Sequence, residues 1–149
     1  MTIPRAPLLL GLSGLLPFLW GAATLVSGDL AAWAVQDIGP RFAGPFVLLQ
    51  YGTIILAFMS GVLWGFATRA SGEVAAFGYG LSVLPALWAF FTVGGGPGSS
   101  AIYLIAGFVG LLGLDWYFWR LQLAPEWWMR LRILLTVVVV FCLSLLVLG

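Results

Sequence analysis

The chain has 149 residues, 62% of them apolar, with six Lys or Arg, five Asp or Glu, a formal net charge of +1 and a mean hydropathy of +1.12. A charged fraction of 7% against about 25% in soluble domains excludes a water-soluble enzyme, a nucleic-acid binder and a disordered tail, because a soluble fold of this size leaves roughly 30% of its unfolded-chain surface in water. The composition is that of an integral membrane protein built as one domain, residues 1–149.

Uncharged or nearly uncharged runs of about 20 residues span the ~30 Å hydrocarbon layer as helices, and five are present. The first, residues 7–27, lies between Arg5 and Asp29. A signal peptide is the competing reading, with Gly21-Ala22-Ala23 as a small-residue site. The apolar run is too long for that, and Pro17 and Trp20 interrupt it, so a retained span is expected. Residues 28–43 carry Leu30, Trp33, Ala34 and Ile38 at helical spacing and end in Gly39-Pro40; a short helix lying in the interface is expected there. The second span, 44–67, lies between Arg41 and Arg69, and the third, 74–93, follows Glu73. The string 94–100 (GGGPGSS) has neither charge nor large apolar residue and reads as a flexible turn. The fourth span, 100–119, ends at Arg120, and the fifth, 129–149, begins among Arg130 and Arg132.

Five spans put the N-terminus, the 68–73 loop and the 120–128 loop on one side. With the start of the fifth span, that side holds Arg5, Arg69, Arg120, Arg130 and Arg132, while the other holds Arg41 alone. The excess of Arg marks the cytoplasmic side, so a cytoplasmic N-terminus and an external C-terminus are expected. Trp64, Trp116, Trp119, Trp127 and Trp128 fall at the same level, as an aromatic belt does.

Two strings repeat. Leu16-Pro17-Phe18-Leu19-Trp20 matches Leu84-Pro85-Ala86-Leu87-Trp88, and Tyr51, Gly61, Trp64 and Phe66 match Tyr103, Gly113, Trp116 and Phe118 at constant spacing. A parallel two-helix repeat, helices 1-2 and 3-4, is one reading, and chance agreement in a Leu- and Gly-rich chain is the other.

Helices in lipid associate where small residues let backbones approach. Thr53, Ala57, Gly61 and Gly65 form such a stripe on the second span, and Gly107, Gly110 and Gly113 lie on the fourth. Ala57, Gly61, Gly65, Gly110 and Gly113 are therefore expected at helix–helix contacts. The fifth span lacks an internal glycine and is expected to be peripheral and lipid-facing.

Asp115 is the one acidic side chain inside a span. Such a residue is costly in lipid and marks a function by default, yet it lies near the inner end, where an ion pair with Arg69 or Arg120 is the structural alternative. Arg120 is five residues on, about 140° around the helix, and so poorly placed; a partner from another helix or the 120–132 segment is expected. The chain has no histidine, which excludes His-ligated haem, imidazole-held chlorophylls and His-containing metal sites. Cys142 is the single cysteine and can form neither an internal disulfide nor a cluster. Phosphate loops, nucleophile–base sets and paired intramembrane carboxylates are absent from the sequence. No enzymatic activity, cofactor, metal or nucleic-acid partner is expected.

The strings LGLSGLLPF (Leu10 to Phe18) and QYGTIILAFMSGVLWG (Gln50 to Gly65) resemble the domain of unknown function 3429 family, multi-spanning bacterial membrane proteins with mitochondrial transmembrane relatives. The most specific part is Tyr51, Leu56, Phe58, Gly61, Trp64 and Gly65. The resemblance implies a polytopic inner-membrane protein and supplies no ligand or catalytic residue.

The fold expected is an all-α membrane bundle of five transmembrane helices. The function expected is an accessory or assembly subunit in the bacterial inner membrane, partnered by the bilayer and a larger respiratory or photosynthetic complex. A small-solute or proton transporter is the alternative, motivated by the repeat, the matched prolines and Asp115.

Overall fold

A computed structural model of the chain describes residues 2–149. The described residues are helical with no strand, and five segments are long and apolar enough to cross a membrane: Arg5–Val26, Gly44–Ala67, Gly72–Thr92, Pro97–Arg120 and Trp128–Leu148. This is a multi-pass membrane protein.

The first and third spans are each broken, and at the same place in the matched strings. The first divides into α1 (Arg5–Ser13) and α2 (Leu16–Val26), and Pro17 is the second residue of α2. Residues 28–37 form the short helix α3 (Gly28–Asp37), started by the Ser27 side chain, which accepts from the Leu30 N–H. The second span is α4 (Gly44–Ala67). The third divides into α5 (Gly72–Ser82) and α6 (Leu84–Thr92), with Pro85 second in α6. The fourth is α7 (Pro97–Arg120) and the fifth α8 (Trp128–Leu148). Helix α7 begins earlier than the Gly-rich string suggests, because Pro97 is preset for a first helical turn and the Ser100 hydroxyl ties down the Gly94 N–H.

A proline inside a span removes a backbone donor, and orphaned backbone groups in hydrocarbon cost several kcal/mol each. Helix α4 supplies partners at both breaks. Tyr51 donates to the Gly14 carbonyl at 3.0 Å, and the Ala86 N–H donates to Ser60 Oγ at 2.9 Å. A third hydroxyl, the buried Thr24 Oγ1, accepts from the Gly44 N–H and donates to the Gly21 carbonyl, fixing α2 to the start of α4.

Helix α4 packs through Leu48, Gly52, Leu56, Met59, Ser60 and Leu63. Helix α7 packs through Ser100, Leu104, Phe108, Leu111 and Asp115. Apart from Ser60, which falls on Leu112, the two sets coincide at the spacing that relates Tyr51 to Tyr103, and Asp115 stands where α4 carries Leu63.

The small-residue stripe does not make these contacts. Ala57, Gly61, Gly65, Gly110 and Gly113 are all exposed, and a Cβ added at any of the four glycines would meet nothing within 4 Å. The burying faces of α4 and α7 are carried instead by large aliphatic and aromatic side chains, and close approach is confined to single glycines at individual crossings. A Cβ at Gly21 would lie 2.6 Å from Leu48, and one at Gly107 would lie 2.9 Å from both Leu56 and Trp88.

The fifth span also departs from expectation. It is not the most peripheral: 33% of its most apolar window is buried, against 28% for the first and third spans. Leu131, Arg132, Thr136, Val139, Cys142 and Leu143 turn inward. Branched side chains pack well without glycine when the neighbouring helix supplies grooves of its own.

Candidate functional site

Near the arginine-rich end of the bundle, α7 and α8 meet across one polar cluster. Asp115 lies five residues before the end of α7, about 7.5 Å along its axis at 1.5 Å per residue. It is fully buried, and Arg132 is 95% buried. Arg132 Nε donates to Asp115 Oδ2 at 2.9 Å, and Trp128 Nε1 donates to Asp115 Oδ1 at 3.0 Å. Each carboxylate oxygen thus has its own donor, and both donors come from α8. Trp128 and Arg132 are four residues apart and project from one face of that helix. Phe66 of α4 packs edge-on against the Trp128 ring at 5.1 Å, which holds the indole in place.

Burying a charge in hydrocarbon is tolerated only when it is paired and hydrogen-bonded, and here the two opposite charges cancel. The carboxylate has a partner from the fifth helix, as the spacing argument requires, and that partner is neither Arg69 nor Arg120. Arg69 is exposed and donates through Nη1 to the Leu123 carbonyl at 2.9 Å. Arg120 is exposed with its guanidinium 5.5 Å from the centre of the Trp116 ring. Arg69 therefore ties down the 121–127 turn, while Arg120 stacks on its own helix. Counting Arg132 only as a flanking charge of the fifth span hides its role. The signal for it was present: Trp128, Arg132 and Thr136 recur every fourth residue, a polar stripe on one helix face that Arg130 does not share.

That stripe continues into a cavity of about 240 Å³ between the first, second and fifth spans. Its walls are apolar, with Leu10, Phe18, Phe58, Met59 and Val139 among them, and its polar members are Arg132 and Thr136. Arg132 Nη2 and Thr136 Oγ1 are buried and have no hydrogen-bond partner among the described residues. Toward the other end of the bundle, Gln50 and Tyr51 line a groove with Trp20, Arg41 and Phe42. The Tyr51 hydroxyl donates its proton to the Gly14 carbonyl. Among the described residues no three His, Cys, Asp or Glu side chains come together as a metal site.

A family described as a protein of unknown function (DUF3429) matches residues 3–148, nearly the whole chain. The chain belongs to the DUF3429 family. No curated protein and no solved structure gives a match.

Proposed function

We propose that this DUF3429 chain is a non-enzymatic accessory or assembly subunit of a larger complex in a bacterial cytoplasmic membrane, with its arginine-rich end in the cytoplasm. The observation that supports this most is the state of its one intramembrane acid. Both Asp115 oxygens are engaged by α8 donors, so the group a proton or cation pathway would use is committed to joining two helices. The bundle interior beyond it is filled by Phe18, Leu48, Leu56, Leu104, Phe108 and Leu111, each at most 1% exposed. Transport would require that packing to part and the ion pair to break.

Native electrophoresis of mildly solubilised membranes tests the reading. Co-migration with a complex several times the chain's 16.0 kDa mass, retained after a second purification step, is expected. A lone species of monomer or dimer mass refutes it.

A further inference from the structure

We infer that the cavity between the first, second and fifth spans binds the carbonyl end of a neutral, membrane-soluble molecule, whose oxygen accepts hydrogen bonds from Arg132 Nη2 and Thr136 Oγ1. This binding site is independent of membership in a complex.

The argument begins with two unsatisfied donors. Leaving a buried polar group without a partner costs about 1–3 kcal/mol, more for a charged one, and the cost is greater where water is scarce. Other helical hydroxyls in this chain avoid it by donating back to the carbonyl four residues earlier, as Ser13, Thr53, Thr92 and Ser144 do. Thr136 does not, although it has the same option. Arg132 and Thr136 are each 95% buried, lie four residues apart on α8 and line the same cavity, so both can address one acceptor.

Charge selects the kind of acceptor. Asp115 already neutralises Arg132, so a phosphate or carboxylate entering here would add an unbalanced negative charge beside the Asp115 carboxylate, in a low-dielectric site where that is expensive. A carbonyl oxygen accepts two hydrogen bonds and brings no charge. The remaining walls are apolar and suit a ring or an acyl chain. The volume of about 240 Å³ is below the roughly 300 Å³ at which pockets for whole drug-sized ligands begin, so it holds the end of a molecule rather than all of it. The rest has a way out: Leu10 and Phe58 on the rim are 74% and 65% exposed, and in a membrane that exposure faces lipid tails. Two sources share this chemistry, a quinone ring and the ester of an acyl lipid.

Decylubiquinone and methyl oleate are the probes, with oleate as the charged control, and binding to the purified full chain is read by native mass spectrometry. Saturable one-to-one binding of decylubiquinone alone assigns the site to a quinone, and binding of methyl oleate alone assigns it to a lipid ester. Thr136→Val keeps the shape and removes the hydroxyl, so the dissociation constant should rise about three- to tenfold, the worth of one neutral hydrogen bond. Leu10→Trp, at the exposed rim where folding is not at stake, should block entry and abolish binding. Tighter binding of oleate than of both neutral probes overturns the inference, as does binding that Thr136→Val and Leu10→Trp leave unchanged. No binding of either neutral probe overturns it too, and makes a trapped water the partner of the two donors.

Discussion

Replacing Asp115 by Asn tests whether the α7–α8 cluster is a structural lock. Asparagine has nearly the same shape and still offers an oxygen to Trp128 Nε1, which lies 3.0 Å from Oδ1 in the native chain. What it removes is the negative charge facing Arg132 Nε at 2.9 Å. Stripping one member from a buried ion pair costs about 3–5 kcal/mol, because the other is left buried and uncompensated. Arg132 lies only one turn into α8, so its long side chain can partly escape toward the interface, and a loss of about 3 kcal/mol is expected. Arg132→Met should cost a similar amount by leaving the buried carboxylate without its counter-charge. The double replacement Asp115→Asn with Arg132→Met leaves no orphaned charge and should be less damaging than the two single losses added together, with a coupling of at least about 2 kcal/mol. Trp128→Phe removes one hydrogen bond and should cost about 1–2 kcal/mol. Equilibrium unfolding in mixed micelles of rising dodecyl sulfate fraction, followed by circular dichroism, measures all four. Single losses below about 1 kcal/mol, with no coupling, would sink the lock and make Asp115 a residue held for some other task.

Two further predictions concern packing and the chain reversal after α7. Gly21→Ala forces a Cβ to within 2.6 Å of Leu48 and 2.9 Å of Val47 and should destabilise by about 1–3 kcal/mol, whereas Gly61→Ala, with nothing within 4 Å, should be neutral or slightly stabilising through helix propensity; the same unfolding titration compares them, and equal losses would contradict the packing face. Gln122 has φ 62° and closes α7 with bonds from its own N–H to the Trp119 carbonyl and from the Leu123 N–H to the Phe118 carbonyl, a helix ending that favours glycine. Gln122→Gly should therefore raise the unfolding midpoint by about 1 kcal/mol of stability, and a fall would mean the Gln122 side chain makes a contact of greater worth.

Hydropathy alone located the five spans, since an apolar run of membrane length has few alternatives to a spanning helix. The residues behind the local breaks stand in the sequence as well, although both broken spans read as continuous. Pro17 and Pro85 cannot donate to the preceding turn, and Ser27 and Gly39 bracket α3 for equally local reasons. The need of Asp115 for a partner outside its own helix followed from the geometry of one helix. Which face each helix buries did not. In lipid both faces are apolar, so the contrast that betrays a buried side in a soluble helix is missing. The Ala57–Gly61–Gly65 stripe therefore looked like a packing seam, while Leu48, Leu56 and Leu63 on another face do the packing. The same degeneracy hid the inward turn of α8. The partner of Asp115 was settled only when α7 and α8 came together, because Arg69, Arg120, Arg130 and Arg132 all lie near the same membrane level, and only the rotation of α8 brings the guanidinium of Arg132 onto the carboxylate.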